Sequence, residues 1–257
     1  MNQVPREAAV GFQLGAADYE RGRPGYPEAA IALLARELAI GPGAVVVDLA
    51  AGTGKLTRAL TGLGADVVAV EPVAGMREQL MQAVPGVDVL DGTAEHMPLA
   101  DASVNAVLVA QAFHWFDIPA AAAEIHRVLA PGGGLGVIRN EWDESVPWVV
   151  ELRALIASHA GEPPHRHGRR WRDALEATGR FTALEEEVFD HPVEVDLPTL
   201  KARAASLSYV AMMDDDARAR LLDAIGELAR ERDLVAADGH LVTPYRTHVT
   251  WARRRDP

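Results

Sequence analysis

Residues 45–57 read VVVDLAAGTGKLT. An apolar run ends in one acid, Asp48, and passes through small residues (Ala50, Ala51, Gly52, Thr53, Gly54) into a helix-forming stretch. Small residues let a ligand approach the backbone, and glycine also admits positive φ. Free N–H groups at a helix start favour negative or electron-rich ligand groups. The segment reads as a cradle for a nucleotide-like ligand, or else as a tight strand-to-helix turn that binds nothing. Two common phosphate cradles do not fit. The GxGxxG fingerprint would need its third glycine at Thr57, and a P-loop ending on Lys55 would need glycine at Leu49 and a hydroxyl residue at Leu56.

Other residues add chemistry at matching places. Glu71 ends the next apolar run, 23 residues after Asp48, where an acid can accept both hydroxyls of a ribose. Pro72 and Met76 follow with apolar surface for a base. His114, after the run VNAVLVA, is a candidate general base for an attacking hydroxyl or amine; the alternative is a histidine that only bonds its loop. Trp115 and Phe116 are expected in the wall of the same site. His159, His165 and His167 lack a carboxylate or third ligand and have arginines beside them, so no metal is expected. Glu185, Glu186 and Glu187 read as a solvated edge, and Arg253, Arg254 and Arg255 as a solvated end.

These residues need a frame. Pro27 opens a helix carrying Ile31, Leu34 and Leu38. Residues 45–49, 66–70, 87–90, 104–110 and 135–139 are short, continuous apolar runs, the pattern of strands buried on both faces. Helical spacing separates them: Leu56, Leu60 and Leu63, then Met76, Leu80 and Met81, then residues 118–129. Strictly alternating strands and helices imply an open parallel sheet with right-handed crossovers, and ligands sit at the carboxyl ends of its strands. Beyond residue 140 the spacing predicts a helix over 146–160, a polar loop over 161–172 and a half-exposed strand at 193–197. Helices near 199–211 and 214–230 and a strand over 245–251 follow.

Composition bounds the rest. The chain has 257 residues, a formal net charge of −12, 49% apolar residues and no cysteine. Thiolate catalysis, CxxC redox chemistry and thiolate zinc sites are excluded. The acidic balance argues against nucleic acid, whose phosphates call for Lys and Arg. No apolar run approaches the roughly 20 residues of a membrane helix, and the first residues carry no signal-peptide pattern. A soluble, cytoplasmic protein is expected.

Asp48 to Gly54 resembles the acid-x-Gly-x-Gly-x-Gly turn of class I S-adenosylmethionine (SAM)-dependent methyltransferases, with Ala50 in place of the first glycine. Glu71 and the segments DGTAEHMPL (91–99) and DASVNAVLVAQAFHWFD (101–117) are similar to the family's next motifs, in order and spacing. The resemblance covers residues 15–140. The last half is similar to the small-molecule branch. The resemblance implies a doubly wound, mostly parallel seven-stranded Rossmann-like α/β sheet, its last strand antiparallel, with a helical lid insert. It implies one domain over 1–257: an N-terminal cap 1–27, a SAM-binding core 28–140, an insert and lid over about 141–235, and the final strand. It also implies roles. Asp48, Ala50, Gly52 and Gly54 approach the methionine part, Glu71 holds the ribose, and Pro72, Met76, Thr93 and Ala94 face adenine. Thr93 stands where the family commonly has Asp, which leaves Glu95 as a second candidate. Gln111 lies near the sulfonium, Tyr19 and Arg23 close over the cofactor, and Trp142 and Tyr209 belong to the substrate lid. The expected activity is methyl transfer from SAM to an O, N or C nucleophile of a small-molecule acceptor, releasing S-adenosylhomocysteine (SAH). A SAM-binding protein that does not methylate, such as a pericyclase or binding module, is the alternative from another class.

Overall fold

A computed structural model describes residues 22–161 and 170–256. Tyr19, His165 and His167 lie outside them. Seven strands form one sheet in the order β3-β2-β1-β4-β5-β7-β6. They are β1 (Val45–Leu49), β2 (Asp66–Val70), β3 (Asp88–Leu90), β4 (Val104–Ala110), β5 (Leu129–Trp142), β6 (Glu185–Asp196) and β7 (His240–Arg253). The first five are parallel to one another, and β7 runs antiparallel to both β5 and β6. The strand order reverses at β1, which pairs with β2 on one side and β4 on the other. That is the topological switch point, where open α/β sheets bind ligands.

Both faces of the parallel strands are covered, which is why their sequences are apolar without alternation. Val46 of β1 and Leu108 of β4 pack with Leu34 and Leu38 of α1 (Glu28–Leu38) and with Leu56 and Leu60 of α2 (Lys55–Thr61). On the other face Val47, Val107 and Val109 pack with Ile125 and Val128 of α4 (Ile118–Val128). Between β2 and β3 runs α3 (Ala74–Ala83), which buries Met76 and Leu80. The α4 helix begins where expected because Pro119 sits in its first turn and the Asp117 carboxylate caps it, accepting from Ala120 N at 3.3 Å.

The second half departs from the sequence reading in several places, among them β7, which runs over His240–Arg253 where 245–251 is expected. The expected loop over 161–172 becomes helical at α6 (Arg170–Ala177). Trp171 and Leu175 are spaced i, i+4 and bury into the α4-side core, an apolar stripe hidden among arginines. The half-exposed strand is longer than predicted. It begins at Glu185, so the glutamate run lies in β6, at the edge of the sheet. The helix expected over 199–211 is two helices, α7 (Leu197–Ala205) and α8 (Ser208–Ala211). They break because Leu207 is extended and Ser206 Oγ donates to the Arg203 carbonyl at 2.8 Å, taking an acceptor the helix would use.

A third apolar cluster joins these pieces. Leu152 and Ile156 of α5 (Pro147–Ala160) pack with Leu200 of α7, Val210 of α8, Leu221 and Ile225 of α9 (Asp215–Glu231), and Leu241 of β7. This bundle lies past the carboxyl end of β5. Among the described residues no helix is long and apolar enough to cross a membrane.

Candidate functional site

The strand order sets the carboxyl-end loops in a row: residues 91–96 after β3, 71–76 after β2, 50–54 after β1, 111–116 after β4, then Asn140 and Trp142 in the last turns of β5. Most of the sequence-predicted residues therefore share one edge of the sheet, although they span about a hundred positions of the chain.

The glycine turn is at the centre of this row. Gly52 has φ +58°, and a Cβ built on it would meet nothing within 4 Å. Its N–H donates to Glu71 Oε2 at 2.9 Å, and Val73 N donates to Glu71 Oε1 at 2.9 Å. Glu71 thus ties the β1 turn to the β2 loop. Arg77 of α3 extends the tie, donating to the Glu71 carbonyl at 2.8 Å and pairing with Asp91 at 3.1 Å. Glu71 is buried, and burial raises its pKa against the pull of those two N–H groups. Glu71→Ala leaves both N–H groups without an acceptor. We expect it to destabilise the ligand-free protein by about 2–4 kcal/mol. A melting temperature equal to wild type would show that water replaces the carboxylate at no cost.

Beneath the turn, Asp48 is fully buried. Thr57 Oγ1 donates to its Oδ2 at 2.6 Å, and its Oδ1 has no hydrogen-bond partner among the described residues. Burial lifts this carboxyl from 3.8 to about 7, with the Thr57 hydrogen bond opposing. The fold favours the protonated form. Its contribution to stability is therefore complete below the ordinary carboxylate range and is lost as the pH rises through about 7. Asp48→Asn should gain on wild type in melting temperature as the pH moves from about 5 to about 8. A pH-independent difference between the two proteins would contradict this placement.

Ala50 and Gln111, at the ends of neighbouring strands β1 and β4, both adopt left-handed backbone, with φ +56° and +61°. Residues with a Cβ pay roughly 1–2 kcal/mol for that conformation. Ala50 is the departure from the glycine of the family turn, so it keeps the turn's geometry under strain. Two such residues side by side at the switch point mark it as a functional place.

A small cavity, partly open to solvent, lies over these two residues. Ala51, Thr53 and Lys55 form its wall on the β1 side; Asn140, Tyr245 and Arg203 form the wall on the β5–β7 side; Arg23 and Tyr26 cover it. Asn140 joins the parts. It is buried, its Nδ2 donates to the Gly25 carbonyl at 2.7 Å, its Oδ1 accepts from Thr247 Oγ1 at 2.7 Å, and its carbonyl accepts from Gln111 Nε2 at 3.2 Å. Gly22 lies so close to α7 that a Cβ on it would stand 2.4 Å from Arg203 N. The segment 22–26 is therefore held between the sheet and the bundle.

The cavity collects only part of the predicted set: Arg23, Ala50 and Gln111 line it. Pro72 and Thr93 are half-buried at the β2 and β3 end of the row, and Met76 and Ala94 are buried there. Thr93 is tied to His96 by a reciprocal backbone pair, and Glu95 Oε1 accepts from Asp117 N at 3.0 Å. His114 and Trp115 lie in a short 3₁₀ turn, Phe113–Trp115. His114 is exposed, and Phe116 turns to the core, its ring 5.4 Å from Phe113. None of these three lines the cavity. Trp142 stands at its edge, stacked 6.5 Å from Tyr245, and half-buried Tyr209 packs in the bundle. Sequence reasoning missed Tyr26, Lys55, Asn140, Arg203 and Tyr245. Asn140 alone carried a signal: it is a polar residue ending a buried apolar strand, as Asp48 is.

Residues 47–137 match the family model described as a methyltransferase domain. An uncharacterized methyltransferase of Mycobacterium tuberculosis is 39% identical over 244 residues, covering 94% of this chain and 95% of its own length. An uncharacterized methyltransferase of Schizosaccharomyces pombe is 31% identical over 85% of this chain and 87% of its own. Solved structures agree in fold. An Anabaena variabilis protein described as an antibiotic-pathway methyltransferase superposes with a TM-score of 0.64 at 24% identity, over 90% of this chain and 98% of that one. A Haemonchus contortus phosphoethanolamine N-methyltransferase, solved with phosphomonomethylethanolamine and SAH, gives 0.56 at 16%, over 96% of this chain and 58% of that one. With the seven-stranded sheet, the left-handed turn after β1 and near-full-length relatives in agreement, this chain belongs to the class I SAM-dependent methyltransferases.

Proposed function

We propose that this enzyme transfers a methyl group from SAM to a small-molecule acceptor held in the cavity over Ala50 and Gln111. The observation that carries this reading is the open, left-handed Gly52 beside the Glu71 carboxylate. A cofactor passing the turn needs bare backbone, and Gly52 presents it with room where a Cβ would stand. The residues fit the group. Ala50, Gly52 and Gly54 offer close approach for its methionine part, Glu71 keeps carboxylate lone pairs for a ribose diol, and Pro72, Met76, Thr93 and Ala94 continue the row towards its base. When bound, SAM supplies a methyl group already activated on a sulfonium.

The protein's own work is then orientation and exclusion of water. Gln111, pinned to the Asn140 carbonyl, fixes the turn after β4. Segment 22–26 and the bundle, with Trp142 and Tyr209, cover the acceptor. His114 and Trp115 sit beyond the cavity lining on the same loop, with Phe116 behind them; only an acceptor long enough to reach past the lining would give a hydroxyl or amine proton to His114. Calorimetry with SAH is the direct test. Binding in the micromolar range is expected, and no heat at about millimolar SAH would sink the reading.

A further inference from the structure

Asn140 is a buried polar residue near the end of an apolar strand. A buried amide must pair its donors and its acceptor, so its partners fix which way it faces. The Gly25 carbonyl can only accept, so the atom 2.7 Å from it is Nδ2, donating. That turns Oδ1 toward β7. There Thr247, fully buried and opposite Asn140 in the β5–β7 register, gives its one hydroxyl proton to Oδ1 at 2.7 Å. With that proton spent, Thr247 Oγ1 accepts, and its neighbour at 3.1 Å, Nδ1 of His191 on β6, is the donor. The same Nδ1 lies 3.4 Å from Asn140 Oδ1, which also only accepts. Every bond of this chain runs one way, from His191 to Thr247 to Asn140 to Gly25. The two antiparallel strands at the edge of the sheet thus aim one amide.

What the amide grips is segment 22–26. Arg23, Pro24 and Tyr26 line the cavity over Ala50 and Gln111. Pro24 and Pro27 have no N–H with which to tie this stretch down. Gly22 is pressed against α7, where a Cβ would stand 2.4 Å from Arg203 N. Three residues on, the Gly25 carbonyl is the tie to the sheet. The main chain of Asn140 holds the other side of the cavity, its carbonyl accepting from Gln111 Nε2 at 3.2 Å. We infer that Asn140 is a positioning residue: its side chain latches segment 22–26 over the bound cofactor, and Thr247 and His191 hold that latch in its closed orientation. What lies beneath the latch rests on the methyl-transfer reading; the latch itself can be tested without ligand.

Hydrogen exchange on the ligand-free full chain reads the latch directly. Asn140→Asp keeps the size and the acceptor for Thr247, but sets a carboxylate oxygen against the Gly25 carbonyl. Exchange in peptides covering residues 22–26 should quicken by about tenfold or more, with β1 and β4 as in wild type. Thr247→Val removes the hydroxyl at nearly constant shape and should quicken it in part, whereas Thr247→Ser should restore it. Dissociation of SAH should follow the same order, about tenfold or more faster for Asn140→Asp and unchanged for Thr247→Ser. The inference is overturned if 22–26 exchanges at the wild-type rate in Asn140→Asp, if exchange quickens equally across the sheet, or if Thr247→Ser behaves as Thr247→Val does. Unchanged SAH release from a loosened 22–26 overturns it too, because the segment then does not retain the cofactor. Failure of the wild type to bind SAH is a different result: it defeats the methyl-transfer reading and leaves the exchange measurement standing.

Discussion

Gly52→Val should reduce SAH affinity by at least about 100-fold, close to 3 kcal/mol. Two effects add. At φ +58° a β-branched side chain is strained, so the turn shifts to relieve it. If the turn holds instead, the new side chain fills the open space where the cofactor must pass. The shift also strips Glu71 of the Gly52 N–H it now accepts, so the ribose acceptor moves with the turn. Calorimetry on the folded variant decides the matter. Wild-type SAH affinity in a protein with an unaltered circular-dichroism spectrum would show that ligand does not pass Gly52, and the site would have to be sought elsewhere along the sheet edge.

His114→Ala should lower turnover on hydroxyl or amine acceptors by about 10²–10⁴, leaving SAH affinity nearly unchanged, because a base acts on the acceptor and not on the donor. His114→Gln should restore little, since it keeps a hydrogen bond but cannot accept the proton. The exposed position of His114 makes this a demanding test. If the variant keeps more than about half of wild-type turnover, the reaction runs on orientation alone, and His114 has no part in the proton's path.

What was legible in the chain follows from what each signal reports. The parallel strands were readable to within a residue or so for β1, β2, β3 and β4, because burial on both faces erases alternation and leaves runs such as VVVDL and VNAVLVA. The glycine turn was readable because its backbone demand falls on residue type directly. The strain was not: a sequence can show Ala50 and Gln111 but not that both sit at positive φ. The far wall of the cavity was also hidden. Arg203 and Tyr245 reach it only because β7 inserts antiparallel beside β5 and the bundle folds back over that end, a contact between residues over a hundred positions from the glycine turn. The start of α6 was obscured because its two inward residues, Trp171 and Leu175, are set among arginines that raise the local polarity.

The edge position of β6 bears on how copies of this protein meet. Among the described residues the twelve-residue β6 is paired on one side only, and long free edges drive sheet-to-sheet aggregation. Here the edge carries Glu185, Glu186, Glu187, Asp190, Glu194 and Asp196, and Pro192 removes one donor from it. A second copy approaching along this edge would bring like charges together at its acidic positions, although Glu186 and Asp190 are already paired with Arg172 and Arg246. The acidic edge thus opposes strand-to-strand pairing between copies, and replacing the three consecutive glutamates with threonine is expected to make this border more adhesive.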